Sequence, residues 1–260
     1  MFIFSAITPH SPLLIPSIGK ENLSVLKKTQ TALEKISADL YSLKPDIIII
    51  ISPHGQLDEK KITINQAPFF KSNFNQFGDL ITNLEWTGDM GLAYKIYQEF
   101  ETTGLLGLIQ EEKIDHGVSI PLFYLTQNLK NIHIIPINYS LASVKQHFTF
   151  GEKLAEVLKR FNERIAIVAS GDLSHRLTKD SPSGYAVEGK KFDKIIIDSL
   201  KEKNYQNIIN IDPQIAKKAD QCGWHSIALL LGILNEINLE PTIVSYEGPF
   251  GVGHLVAEFV

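Results

Sequence analysis

One run of apolar residues has no polar break: Ile47, Ile48, Ile49, Ile50 and Ile51 follow one another. Five β-branched side chains, apolar on both faces, predict a strand buried between two layers of helix. Pro45 stops a helix before it, and Pro53 and Gly55 stop the strand after it. Phe2 to Thr8 repeats the arrangement and runs into Pro9, His10, Ser11 and Pro12. Between the two, over 21–43, Leu26, Leu33, Ile36, Leu40 and Leu43 recur at helical spacing and predict an amphipathic helix.

The alternation continues. Residues 61–65 read as a short, half-exposed strand, with Ile62 and Ile64 inward. Residues 66–89 show no clear period and are rich in Phe, Asn and Gly. They read either as a functional loop or lid, or as a surface excursion pinned by Phe69, Phe70, Phe74 and Phe77. Leu92, Tyr94, Ile96 and Phe100 mark a helix ending near Gly104. Further helices are predicted over 118–129, 144–161, 190–200, 213–218 and 223–237, and strands over 131–138, 164–170, 241–245 and 252–259. Strands alternating with helices predict one domain over 1–260. Its architecture is a three-layer α/β/α sandwich with a mostly parallel central sheet and antiparallel edge strands.

Composition narrows the classes. The 260 residues are 44% hydrophobic and 21% charged, which suits a soluble globular chain with a substantial core. A net charge of −4 carries no nucleic-acid footprint. Apolar runs are too short to span a bilayer, and the first residues lack the basic and apolar regions of a secretory signal. A single cysteine, Cys222, cannot form an internal disulfide, so a reducing cytoplasm is expected.

Candidate chemistry gathers where strands end. His10, His54 and His175 each follow a predicted central strand, and His116 lies in the polar break Asp115-His116-Gly117. In open α/β sheets the carboxyl rim of the strands binds ligands. Imidazoles there serve as metal ligands or as bases near neutral pH. Taken one at a time, a Pro-His after a strand is more often a hydrogen-bonded loop residue; the series of such motifs favours a shared site. His133, His147 and His254 read as structural or solvated, with His147 solvated. Cys222 and His225 form a Cys-x-x-His pair at a helix start, a weak ligand signal. For Cys222, a small buried side chain competes with a metal-binding or nucleophilic thiol. Glu247, in a Gly-rich turn, reads as solvated or as ligand-facing.

Together, Thr8-Pro9-His10-Ser11-Pro12, Ser52-Pro53-His54-Gly55, Asp115-His116-Gly117 and Ser170-Gly171-Asp172-Leu173-Ser174-His175 resemble the class III extradiol ring-cleavage dioxygenases of the LigB type and the related Memo-like proteins. The likeness spans essentially the whole chain. It implies that His10 and His54 bind metal, that His175 is the acid/base and that His116 contacts substrate or dioxygen. It also implies a non-haem Fe(II) centre, a small aromatic substrate and dioxygen. The dioxygenases take a third ligand from a glutamate opening a C-terminal helix. That place is held here by Cys222, as in Memo-like proteins, with Asp220 and Gln221 just before it. Asp220 and Glu247 stay open as alternative third ligands. A thiolate moves the preference toward zinc or copper.

Three functions follow: an extradiol dioxygenase-like oxidoreductase, a hydrolase or transferase using Cys222 with His175 as base, and a non-catalytic metal- or ligand-binding protein. A homodimer is the base-rate expectation.

Overall fold

A computed structural model describes residues 1–235, 237 and 239–260. In chain order the elements are β1 (Phe2–Thr8), α1 (Pro16–Gly19), α2 (Lys27–Leu43), β2 (Ile47–Ser52), β3 (Ile62–Asn65), β4 (Phe69–Phe74), β5 (Asp79–Gly88), α3 (Met90–Phe100), β6 (Leu106–Ile109), α4 (His116–Leu125), β7 (His133–Asn138), α5 (Val144–Leu158), β8 (Ile165–Ser170), α6 (Val187–Lys201), α7 (Tyr205–Ile209), α8 (Pro213–Ala219), α9 (Trp224–Leu234), β9 (Pro241–Glu247) and β10 (His254–Phe259).

The strands form one sheet in the order β4-β5-β7-β2-β8-β1-β10-β9. From β5 to β1 they run parallel, and β10 and β9 close one side antiparallel. At the other side β4 pairs antiparallel with β5. The mixed α/β sandwich with a mostly parallel sheet and antiparallel edges is therefore present. No helix among the described residues is long and apolar enough to cross a membrane.

The isoleucine run is the centre of this sheet. β2 lies between β7 and β8, and all six of its residues are buried. Its side chains alternate between layers. Ile47, Ile49 and Ile51 pack in the core shared with α3, α5 and α9, while Ile48 and Ile50 pack in the core shared with α2 and α4. Both faces are covered, so period-2 polarity is absent from the sequence here. Ile49→Ala should lower the unfolding free energy by about 2–5 kcal/mol, the usual cost of a cavity at a fully buried isoleucine. Denaturant titration reads it directly.

Three local expectations are corrected. Residues 66–89 are neither an irregular loop nor a lid but the β4–β5 hairpin, joined by a tight 3-10 turn at Asn75–Phe77. Ser72 faces inward between Phe70 and Phe74, which hides the alternation. The turn is anchored, because Asp79 accepts from the amides of Ile81 (2.9 Å) and Thr82 (3.0 Å) and from the Ser17 hydroxyl. Second, the strand expected to be half exposed, β3, is buried, since β7 pairs it on one side and β6 on the other. Neither β6 nor α7 was anticipated from periodicity. Third, His147 is buried rather than solvated, with Nδ1 2.9 Å from the Ser143 carbonyl and the Ser140 amide donating to Nε2 at 3.1 Å. The helix expected over 223–237 is helical to Leu234, and its position 236 lies outside the described residues.

β7 carries Pro136 in a central strand, where a missing amide normally costs a ladder bond. On its β2 side it pairs throughout, with Pro136 opposite Ile50. On its other side the partner changes from β5 at His133 and Ile134 to β3 at Ile137 and Asn138. Pro136 falls in that gap and lines the cavity of the site described next.

Candidate metal centre

The parallel strands β1, β8 and β2 are neighbours, so their carboxyl ends share one rim. β1 delivers His10, β2 delivers His54, and β8 delivers the loop 171–175. Proline directly follows β1 (Pro9) and β2 (Pro53) and ends each strand just before its histidine, while Gly171 follows β8. The Nε2 atoms of His10 and His54 are 2.9 Å apart, and Cys222 Sγ is 3.5 Å from His10 Nε2. One donor atom from each of the three residues lies within 4.8 Å of the others.

Cys222 arrives from the α8–α9 connection because that loop is tied to the one after β8. The amides of Cys222 (3.3 Å) and Gly223 (3.0 Å) donate to the Asp172 carbonyl, and the Asp172 amide donates to Sγ at 3.3 Å. This contact needs two glycines: a Cβ on Gly171 would sit 2.2 Å from Gly223 Cα.

Asp172 is the electrostatic hub. Its Oδ1 accepts the His10 amide at 3.1 Å, and its Oδ2 is 3.8 Å from His10 Nε2 and 3.9 Å from His175 Nε2. Burial pushes this carboxyl up, but His10, His254 and His175 together with the His10 amide hold it below its ordinary value. Burial lowers His10 to about 3 despite Asp172, and lowers His54 to about 4, helped by His116. His54 reaches solvent at the pocket mouth, yet its ring is crowded by the neighbouring imidazoles. Both rings are therefore neutral near pH 7, with lone pairs to offer. His10 Nδ1 shares a 2.9 Å hydrogen bond with Ser170 Oγ, which leaves Nε2 as the donor atom facing the cluster. The Cys222 thiol is raised well above its usual value by burial and by Asp172.

His175 stands at the edge of the cluster, half-buried. Its amide donates to the Ala219 carbonyl at 3.1 Å, and its Nδ1–H donates to the Asp220 carbonyl. A carbonyl can only accept, so the proton is fixed on Nδ1 and Nε2 carries the lone pair toward Asp172. His116 opens α4 behind its N-cap Asp115, whose Oδ1 accepts from Ser52 Oγ at 2.7 Å. Its ring stacks on His54 at 4.4 Å and meets Phe77, from the hairpin turn, edge-on at 5.3 Å. His54 and His116 form one wall of a cavity of about 670 Å³. Its other walls are polar and include Asn65, Asn73, Gln76 and Lys113.

The alternative third ligands lie elsewhere. Glu247 accepts from the Thr29 amide (2.8 Å) and hydroxyl (2.6 Å), tying β9 to α2. Asp220 is the left-handed C-cap of α8, its carboxylate held by the Ser183 hydroxyl; only its backbone carbonyl serves the site. His225 is not paired with Cys222 in the cluster; its ring packs against Tyr139 at 5.0 Å and His147 at 4.9 Å. The sequence reading gave too little weight to Asp172 and missed Asp193, a buried carboxyl raised to about 6 by burial. Asp193 accepts the Ser174 amide at 2.9 Å, next to His175. Nothing local in the α6 pattern marks it except a charged residue on the apolar face. His254 is buried, with neither ring nitrogen bonded among the described residues.

The depressed imidazoles set an expected acid response of the metal-free protein. His10, His54 and His225, the last lowered to about 4 by burial, take protons in the unfolded chain near pH 6.5 but resist them when folded. The unfolded state then binds more protons, so stability falls as pH drops from about 6.5 toward 4. Asp193 opposes this, since its folded form keeps a proton up to about 6, but it is one group against these three and against His116, His147 and His254, which burial lowers as well. Denaturant midpoints measured across this window should decline with acidification; a flat or rising profile would contradict the buried neutral imidazoles.

Comparison with known proteins places this arrangement. The family described as the catalytic LigB subunit of aromatic ring-opening dioxygenase matches residues 5–257. Protein CA_C1420 of Clostridium acetobutylicum is 31% identical over 258 residues, covering 95% of this chain and 55% of that protein, so the chain spans about half its length. The 3,4-dihydroxyphenylacetate 2,3-dioxygenase of Escherichia coli is 22% identical, over 77% of this chain and 78% of that one. MEMO1 family protein MJ0403 of Methanocaldococcus jannaschii is 23% identical over 48% of this chain and 42% of its own. The crystal structure of uncharacterized protein JW3007 from Escherichia coli K12 shares the fold, with a TM-score of 0.70 at 16% identity, covering 99% of this chain and 100% of that one. Four histidine motifs in one order, three of them on one rim, and a family match from end to end agree: this chain belongs to the LigB family of aromatic ring-opening dioxygenase catalytic subunits.

Proposed function

We propose that the protein is a metal-dependent oxidoreductase that opens a catechol-like ring with dioxygen. In this reading His10, His54 and Cys222 are the ligands, His175 is the acid/base and His116 faces the substrate. One observation carries the reading: three lone-pair donors converge within 4.8 Å beside a cavity of about 670 Å³. Ligand atoms of a tetrahedral site, at ordinary metal–nitrogen and metal–sulfur lengths, stand about 3.3–3.7 Å apart. The 3.5 Å separation matches that spacing, the 2.9 Å one falls a little short of it, and all three atoms stand within 4.8 Å of one another. The donor set thus fits a divalent ion.

When bound, that ion, Fe(II) in this reading, supplies Lewis-acid and redox chemistry to a catecholate and dioxygen held together. The chain's residues do the rest. His175 Nε2, its tautomer fixed by the Asp220 carbonyl, takes a proton from a substrate hydroxyl. Asp172 lies close enough to stabilise the resulting imidazolium. His54 and His116 wall the aromatic side of the cavity, Phe77 packs edge-on against His116, and Lys113 and the carboxamides offer hydrogen bonds to ring substituents. The direct assay is anaerobic loading with Fe(II), followed by oxygen uptake with a series of catechols. Protein that takes up no metal and consumes no oxygen refutes the proposal.

A second reading, a metal-binding protein without ring-opening activity, is favoured by Cys222 in the glutamate's place. Thiolate suits zinc or copper better than Fe(II). Elemental analysis of protein purified without added metal separates the two. The thiol-nucleophile reading is disfavoured, because burial and Asp172 raise the thiol when a nucleophile needs it lowered.

A further inference from the structure

Far from the metal centre, β9 is the last strand of the sheet. It pairs with β10 on one side, and no ladder covers its other side among the described residues. Thr242 is exposed and the rest of the strand is half-buried. The strand carries no lysine; its guards against edge pairing are Pro241 at its first position and a register shift at Val244, which leave residues 245–247 as the regular stretch.

Two helices overhang this edge, one from each layer, and each leaves a groove. Between α2 and β9 lies a cavity of about 560 Å³, floored by Ala32, Val244 and Tyr246. Between α6 and β9 lies one of about 430 Å³, floored by Leu177, Ile197 and again Tyr246. Grooves on both faces of an open edge are what an added strand requires, because its successive side chains point to opposite faces.

Charge identifies the occupant. Lys27 and Lys28 line the first groove, and Lys190 lines the second together with the buried Asp193, which Tyr246 and the Ser174 amide already bond; all three lysines are exposed and have no carboxylate partner among the described residues, so the first groove carries most of the basic charge. Their neighbours are already neutralised: Lys35 by Asp39 and Glu258, and Lys194 by Asp198. The chain as a whole is acidic, at −4, so this basic rim is local. A second copy of the chain does not suit it. An antiparallel β9–β9 pairing with the twofold axis normal to the sheet sets α2 beside α2, with Lys27 and Lys28, at the Glu247 end, across from Lys35, which Asp39 and Glu258 already pair at the Thr242 end. A parallel pairing, with the axis in the sheet, sets α2 beside α6, again with lysines facing.

We infer that the β9 edge is a docking site for an extended acidic segment of another polypeptide, which adds to the sheet as a further strand. Main-chain hydrogen bonds to β9 would supply affinity. Neighbouring apolar side chains would fill the two grooves, one on each face, and neighbouring carboxylates would meet Lys27 and Lys28 on one face and Lys190 on the other.

The test uses the whole chain and a fluorescein-labelled, end-capped octapeptide of repeated Val-Val-Glu-Glu, which presents both valine and glutamate to each face. Anisotropy measures binding and amide hydrogen exchange locates it. Binding with slowed exchange across Pro241–Glu247 is the expected result. Combined Lys27→Glu, Lys28→Glu and Lys190→Glu should weaken it by about tenfold, the scale of three exposed charge pairs. The neutral Lys→Gln set should give a smaller loss in the same direction. Absence of β9 protection overturns the inference, as does equal binding of a valine–lysine peptide or undiminished binding of a peptide with two valines replaced by proline. Concentration-dependent self-association of the unliganded chain that protects β9 would assign the edge to a second copy instead. None of these substitutions touches the metal centre, so failure here leaves the proposed activity standing.

Discussion

Cys222→Ala should strip the protein of tightly held metal while its fold survives. Sγ is one of the three converging donors, and two neutral imidazoles alone make a poor divalent site. The affinity loss should exceed the roughly 10–100-fold typical of removing an outer-sphere partner. Competition against a chromogenic chelator measures it, and far-UV circular dichroism shows that the fold persists. The surroundings make the test specific. The Asp172 amide donates to Sγ, and Asp172 itself caps the loop through its carbonyl, so the alanine variant keeps the backbone contacts that hold 222–223 against 171–172. Cys222→Glu should restore binding with a shifted preference, toward Fe(II) and away from zinc, because a hard carboxylate replaces a soft thiolate. Unchanged metal content in the alanine variant would remove Cys222 from the donor set and leave the centre to His10 and His54 with Asp172.

His175→Gln should separate chemistry from metal binding. Its Nε2 lies 3.9 Å from Asp172 Oδ2, and the residue is not one of the three converging donors. Removing a positioned acid/base group typically costs about 10²–10⁴-fold in turnover. We expect a loss in kcat of that size on any catechol the wild type cleaves, with metal stoichiometry intact and KM little changed. Glutamine keeps an amide hydrogen able to reach the Asp220 carbonyl, so the loop is not disturbed. Loss of metal together with activity would instead make His175 a ligand, and unchanged kcat would deny it a chemical role. Asp172→Asn should fall between the two variants, since this carboxylate touches both the His10 amide and the space between the two imidazoles.

The order of elements and the rim that carries the chemistry were legible in the chain itself. Ile47 to Ile51 could only be a strand buried on both sides, and the prolines at 9 and 53 could only end strands, so His10 and His54 had to stand at carboxyl ends. These are local rules, enforced by sterics and by period, and the fold obeys them. The β4–β5 hairpin escaped because Ser72 breaks the apolar alternation at a position where tertiary packing, not hydropathy, decides burial. β6 escaped because four residues give too short a window for a period to show. His147 looked solvated because nothing in sequence reports that Ser140 and Ser143 would bond both its nitrogens.

Which candidate side chains meet was decided only in three dimensions. Along the chain Cys222 holds the place of the third ligand by resemblance, with Asp220 and Glu247 open as alternatives, and their positions separate only when the α8–α9 loop docks on Asp172 and β9 docks on α2. Sequence spacing encodes which face of an element is apolar. It does not encode which loops meet across 50 or 200 residues, because such contacts depend on close backbone approach, as at Gly171 and Gly223, and on partners arriving from separate layers. The chain alone therefore determined the sheet and its reactive rim, and tertiary packing determined which atoms on that rim face one another.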